Sequence, residues 1–369
     1  EQAGCQVPDE MASVEVVLLG CGLVGKAVLR MLGRVDSKPH RFLVRAVAES
    51  DFAALAPPGQ GLDVAAVLKL KEEGGRVRTL EMASQPAGTV VMPAGELYEA
   101  LPSMAASALL VDCTATTAVV PPMVKWVSAG GAVVMANKKP LTGPQADFTA
   151  MVSAAGDTCG YESTVGAGTP FVASLRRLVA AGDTVETVMG TFSGTLGFLM
   201  SGLQAGNKGW GELVNTAHDL GYTEPDPRDD LSGSDVARKA LIMARTLGWQ
   251  FEMSDIEVES LFSDDMAGLS VADFKAAIGK LDGEMAAKRD AADADGKVLR
   301  YVASCSKEGL KIGLQAVARD SPLGLLSGPD NMMVVTSALY ADRPLVVQGA
   351  GAGDDITAAG VVADMVALA

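Results

Sequence analysis

Residues Leu220 to Arg245 read LGYTEPDPRDDLSGSDVARKALIMAR, and this stretch gathers the side chains best suited to chemistry. Asp235 and Lys239 stand four apart, so on a helix an acid and an amine share one face. Just before them Glu224, Asp226, Asp229 and Asp230 crowd around Pro225 and Pro227, which argue against a helix there. An amine can move a proton and a cluster of carboxylates can hold a small cationic substrate. The plainer reading is that Ser232 and Asp235 form an S-x-x-D capping box and that Asp235–Lys239 is a surface ion pair worth ~0.3–0.5 kcal/mol. Only two histidines are present, His40 in the polar turn SKPHR and His218 on a helix, and both read as surface or packing residues. Imidazole is the commonest general base, so an acid–base enzyme built on this chain needs another proton carrier.

A second chemical element lies near the start. Val14 to Leu19 (VEVVLL) is a short β-branched run of the kind that makes a buried parallel strand. It runs straight into Gly20, Cys21, Gly22, Leu23, Val24 and Gly25, followed by the amphipathic KAVLRMLGRV. Strand, GxGxxG turn and helix together predict a dinucleotide site, with the pyrophosphate on the helix N-terminus. At the end of the second strand, Arg41 to Ala48, stands AESDF with Glu49 and Asp51. An acid there hydrogen-bonds ribose hydroxyls and repels a 2′-phosphate, so NAD is at least as well served as NADP. The segments DCTATT (112–117) and ANKKPLTG (136–143) follow further strands, where ligands of such sheets sit, and bring in Thr114, Lys138 and Lys139.

These sites need a scaffold, and strands alternating with helices predict a Rossmann-type doubly wound α/β sheet. The dinucleotide-binding domain is expected over 14–158. From residue 159 the pattern changes to an α+β region, 159–344, with strands at Val298–Ser304, Leu310–Ala318 and Met332–Leu339 in an antiparallel sheet. The last strand–glycine–helix unit, residues 345–369, is expected to return to the first domain. At the domain change, YESTVGAGTP sets Glu162 beside a glycine-rich turn, an arrangement for a hard cation with oxygen ligands or simply for a crossover.

Bulk properties narrow the class. With 369 residues, 49% hydrophobic and 20% charged, the chain has material for two or three packed domains. A net charge of −15 argues against nucleic acid or an anionic membrane as partner. Five cysteines without CxxC spacing exclude a zinc site or disulfide framework of ordinary pattern and fit a reducing compartment. No apolar run reaches the ~18 residues that span a bilayer. The opening EQAGCQVPDE resembles neither a signal nor a transit peptide, and a start at Glu1 fits a piece of a longer precursor.

Taken in order and spacing, GCGLVG, ANKKPLTG, ESTVGAGTP, GTFSGTL, GYTEPDPRDDLSGSDVARK and GAGAGDDITAAGV resemble homoserine dehydrogenase over nearly the whole chain from Val14. GKVLRYV and GAGDDITAAGVVADM are most similar to the dehydrogenase half of bifunctional aspartate kinase–homoserine dehydrogenases. No kinase or regulatory domain is recognisable in these residues. The resemblance implies NADP- or NAD-dependent interconversion of L-aspartate 4-semialdehyde and L-homoserine, in threonine, methionine and isoleucine biosynthesis. It implies Lys239 as general acid, Asp235 and Lys138 holding substrate and proton, and Glu224 with Asp230 binding the amino acid. Gly221 and Gly353 would approach the cofactor, and a structural sodium ion would sit on Glu162, Val165, Ala167 and Thr169. A homodimer through the second region, possible fusion to an aspartate kinase, and a cytoplasmic or plastid-stromal location are further implications.

The chemistry is consistent with that resemblance. A lysine amine ordinarily titrates near ~10.4, and desolvation or a neighbouring cation such as Lys138 lowers it towards ~7–8. Asp235 opposes such a shift, so orienting and binding suit it better. The chain departs from the family at AESDF, which replaces an Asn-Ser-Arg/Lys-like strand end, and at Cys21 inside the glycine turn. Two other readings are another amino-acid dehydrogenase of similar layout and a nucleotide-sensing protein without turnover.

Overall fold

The computed structural model describes residues 12–35, 40–153 and 156–369. Part of the SKPHR turn falls outside them, and His40 opens a strand. The chain divides into two compact units, one of residues up to Leu141, Ala146–Ser163 and Asp354–Ala369, the other of Thr142–Gln145 and Thr164–Gly353.

The first unit is built on strands β1 (Ala12–Leu19), β2 (His40–Ala48), β3 (Phe52–Leu55), β4 (Val90–Pro93), β5 (Ala108–Asp112), β6 (Ala132–Met135) and β7 (Cys159–Gly160). They form one sheet in the order β4-β3-β2-β1-β5-β6-β7. β2, β1, β5, β6 and β7 run parallel, as the unbroken apolar runs VVLL and ALLV require of strands covered on both faces. β3 and β4 add an antiparallel edge to the sheet. The helix Leu23–Val35 buries Val28, Leu29 and Leu32 in the core. Against it packs the C-terminal helix Asp354–Leu368 through Ala358, Val361 and Met365. Each such aliphatic side chain contributes ~1.5–3 kcal/mol on full burial.

The second unit carries β8 (Val185–Thr191), β9 (Ile256–Val258), β10 (Lys297–Ser306), β11 (Gly309–Ala318), β12 (Asn331–Ser337) and β13 (Leu345–Gly349), ordered β13-β12-β8-β10-β11-β9. All neighbours are antiparallel except β9 and β11. Helices Gly194–Ala205, Ser234–Thr246 and Asp282–Ala294 pack on β10.

Two expected boundaries move. β13 does not return to the first sheet, because it pairs with β12 from Asn331↔Gly349 to Val335↔Leu345; only the helix from Asp354 returns. At the other junction Cys159 and Gly160 pair with β6, so the first unit extends to Ser163 rather than ending at 158.

Candidate active site

In the first unit the glycine turn has the shape a dinucleotide needs. Gly20 has a φ of +89°, and a Cβ there would stand 2.8 Å from the Cys113 carbonyl carbon. A Cβ at Gly25 would overlap the Gly20 carbonyl oxygen, so turn and helix meet backbone to backbone. Gly22 has open space beside it and faces a cavity of about 690 Å³, which Gly20, Glu49, Lys71, Arg76 and Thr114 also line. The first N–H groups of the helix at Leu23, Val24 and Gly25 have no intrahelical partners and suit a pyrophosphate. Cys21 is buried, and burial raises its thiol to about 11, which leaves it neutral.

The acids after β2 are not the free carboxylates their position suggests. A tight turn joins β2 to β3, with the Glu49 amide donating to the Phe52 carbonyl at 2.8 Å. Glu49 is nearly buried, pairs with the Lys71 ammonium, accepts from the Val77 amide at 2.8 Å, and has Arg76 at 3.7 Å. Asp51 pairs with Arg76 at 2.7 Å, and the same guanidinium donates to the Ser50 hydroxyl at 3.2 Å. Two acids therefore meet two cations, and the expected repulsion of a 2′-phosphate loses its source.

Beyond β5 and β6 lies a buried polar group. Asp112 is fully buried; it accepts from the Thr114 amide at 2.8 Å and from the Asn137 side chain at 3.0 Å. Asn137 also donates to the Thr114 hydroxyl at 3.1 Å and to the Thr116 carbonyl at 2.9 Å, while its own oxygen accepts from the Lys139 amide at 3.1 Å. Lys138 sits between these two residues.

In the second unit Lys239 is only 8% exposed. Its ammonium donates to the Phe192 carbonyl at 2.6 Å and to Asp235 at 2.8 Å. Two of its three N–H bonds are thus placed and one is left over. Phe192 follows β8, 47 residues upstream, and no local pattern marks its carbonyl as a lysine acceptor. The helix carrying Lys239 spans Ser234–Thr246, and its N-cap is Gly233, at φ +71° with no side-chain cap bond, rather than Ser232. The Ser232 hydroxyl turns back to the Asp229 carbonyl, so the expected capping box does not form. A Cβ at Gly233 would overlap the Tyr301 hydroxyl, which reserves that corner for glycine.

The acidic loop is sorted by its bonds. Contrary to the expectation from its prolines, Pro227–Leu231 forms a short helix, since proline is tolerated at the first helical position and Asp226 caps the Arg228 amide. Arg228 pairs with Asp226 at 2.7 Å and donates to the Met266, Ala267 and Leu269 carbonyls, so both residues hold shape. The hydrogen bond from Arg228 outweighs burial and keeps the Asp226 carboxyl below its ordinary range. Asp230 accepts from the Glu224 amide at 2.8 Å, and burial raises its carboxyl. Thr195, which sequence reading passes over, bonds the Tyr222 carbonyl at 2.6 Å and reaches Asp230. The carboxylate of Glu224 is exposed and makes no bond among the described residues. Gly221, at φ +73°, closes the preceding helix, and Gly353, at φ +116°, ends the glycine turn after β13.

Of the residues expected to hold a cation, Glu162 is buried in the first unit. Val165, Ala167 and Thr169 are buried in the second, and Ala167 is the one non-glycine at positive φ (55°) among the described residues. That strained conformation turns the backbone carbonyls of the loop. No group of three or more His, Cys, Asp or Glu suited to a metal exists among the described residues.

Residues 170–366 match a family model described as homoserine dehydrogenase, and residues 20–159 one described as homoserine dehydrogenase, NAD binding domain. A homoserine dehydrogenase of Emericella nidulans is 36% identical over 370 residues, covering 96% of this chain and 98% of its own. A chloroplastic bifunctional aspartokinase/homoserine dehydrogenase of Zea mays is 41% identical over 268 residues, or 71% of this chain; the match spans 29% of the maize protein. Fusion to an aspartokinase is thus a feature of some relatives. Among solved structures, a Candida auris protein of unknown function superposes with a TM-score of 0.85 at 32% identity, covering 96% of this chain and 98% of that one. A hyperthermophilic archaeal homoserine dehydrogenase in complex with NADPH superposes at 0.72 with 19% identity, covering 96% and 97%, a likeness of fold.

Proposed function

This chain belongs to the homoserine dehydrogenase family, and on that premise we propose that it reversibly interconverts L-aspartate 4-semialdehyde and L-homoserine with NADP or NAD. The observation that carries the reading is the buried Lys239 ammonium, oriented by the Phe192 carbonyl and Asp235 with one N–H left to give. Reducing an aldehyde needs a hydride at carbon and a proton at oxygen. The dinucleotide supplies the hydride when bound. Lys239 donates its remaining proton to the carbonyl oxygen as that oxygen becomes an alkoxide, and takes it back in homoserine oxidation. Asp235 keeps the amine aimed. Glu224, with its free carboxylate, binds the substrate ammonium, and Asp230 serves by fixing the Glu224 backbone. Lys138, held between Asn137 and the Lys139 amide, assists at the substrate.

We propose NADP as the preferred dinucleotide. With Glu49 bound to Lys71 and to the Val77 amide, the half-exposed Arg76 and Ser50 line the cavity where a 2′-phosphate belongs. We further propose a structural sodium ion at the loop carbonyls of Val165, Ala167 and Thr169, oxygen ligands of the kind a hard cation takes. A homodimer would use the face of the second sheet that carries Val302 and Met332, on which Leu323 and Leu326 pack. There Met189, Val317 and Val334 are only partly buried, and Leu325 is 72% exposed.

The first test is a steady-state assay of homoserine oxidation with NADP and NAD in turn. Turnover is expected with at least one, and none with either contradicts the reading. Lys239→Ala is expected to lower turnover by ~10²–10⁴ with dinucleotide affinity kept; near-normal turnover removes Lys239 from the role. Arg76→Ala should raise the KM for NADP by roughly tenfold and leave that for NAD unchanged, and equal effects would end the 2′-phosphate assignment. Light scattering should give twice the chain mass of 37.9 kDa, and Leu325→Asp should shift the protein towards one. A wild-type monomer contradicts the dimer. For the cation, Tm should rise when sodium chloride replaces choline chloride at equal ionic strength, and an unchanged Tm argues against the site.

A further inference from the structure

The order of the first sheet divides the dinucleotide between its loops. Adenosine ribose lies at the end of β2 and the pyrophosphate at the turn after β1. The loops after β5 and β6, on the other side of β1, therefore face the nicotinamide half. Thr114 and Thr116 of the first loop line the cavity, and Asn137 to Lys139 form the second. Between the loops stands Asp112, a fully buried carboxylate with no ion pair among the described residues.

We propose that Asp112 is the positioning residue of the nucleotide unit, its single carboxylate tying the loop after β5 to the loop after β6 so that Thr114, Thr116 and Lys138 meet the nicotinamide half of the bound dinucleotide. One oxygen accepts from the Thr114 amide at 2.8 Å and the other from the Asn137 side chain at 3.0 Å. With its donor pointed at Asp112, Asn137 is fixed against flipping, so its remaining contacts to Thr116 and Lys139 follow. Both strands are also joined below this point, where the Ala136 amide donates to the Asp112 carbonyl at 2.9 Å. The strands hold themselves together; the side chain is what orders the loops above them. Burial raises the Asp112 carboxyl, and the donors from Thr114 and Asn137 draw it back, which is the pattern of a carboxylate held for its acceptors.

Asp112→Asn tests this without changing volume. The new amide would face the Asn137 amide donor to donor, and a flip of Asn137 that lets its oxygen accept from the new NH₂ would set that oxygen against the Thr116 carbonyl and its own NH₂ against the Lys139 amide. The inference rests on the dehydrogenase reading for its dinucleotide but not for its readout, which is binding alone. The affinities of NADP and of 2′,5′-ADP, the adenosine half by itself, are measured on wild type, Asp112→Asn and Asn137→Ala. Both variants should bind NADP roughly tenfold more weakly, the scale of one lost buried hydrogen bond, and 2′,5′-ADP as wild type does. The double variant should lose no more than the worse single one, since both sit in one network. Unchanged NADP affinity overturns the proposal, and so does a parallel loss of 2′,5′-ADP, which marks a general structural effect. Should Asp112→Asn fail to fold, Asn137→Ala, which alters no charge, decides by the same two ligands. A wild-type chain that binds NADP yet leaves homoserine untouched contradicts the proposed reaction and leaves this test intact.

Discussion

The structure of the second unit depends on keeping one ammonium group dry and aimed. Burying an ammonium without acceptors is costly, so the helix Ser234–Thr246 must bring Lys239 to a carbonyl that the sheet leaves free. Phe192 provides that carbonyl because its strand, β8, ends there before the next helix begins at Gly194. Asp235, one turn before Lys239, adds the counter-charge at 2.8 Å while remaining half exposed. Sheet end, helix start and the glycine at 233 that lets helix and Tyr301 touch are thus parts of one requirement.

Around that amine the acidic loop splits into shape and function. Asp226 is spent on the Arg228 guanidinium and the Arg228 amide, and Asp230 on the Glu224 amide. What remains for a ligand are the exposed carboxylates of Glu224 and Asp229. A row of four acids in the sequence thereby becomes two presented charges on a braced loop, of which Glu224 suits recognition of a single ammonium group. The nucleotide unit follows the same economy: Glu49 and Asp51 are consumed by Lys71 and Arg76, and Asp112 by Thr114 and Asn137.

Much of this was legible in the sequence because it is local. Apolar runs marked the parallel strands, GCGLVG marked the turn, and i, i+4 spacing put Asp235 beside Lys239. The misreadings involve partners far apart in the chain. Lys71 is 22 residues from Glu49 and Val77 is 28, so nothing near AESDF shows that its acid is already bound. Phe192 is 47 residues from Lys239. β13 looked like a strand of the returning unit, but ladder pairing with β12 decides its sheet, and pairing leaves no mark in composition. Proline at 227 suggests a helix breaker, although at a first helical position with an Asp cap it starts one.

The most direct measurement of the central claim is a crystal structure of the chain with NADP and L-homoserine bound. The account predicts the homoserine hydroxyl oxygen about 3 Å from the Lys239 ammonium, with the bonds to Phe192 and Asp235 kept. A homoserine hydroxyl held by other groups, with Lys239 still bonded to Phe192 and Asp235 alone, would contradict it.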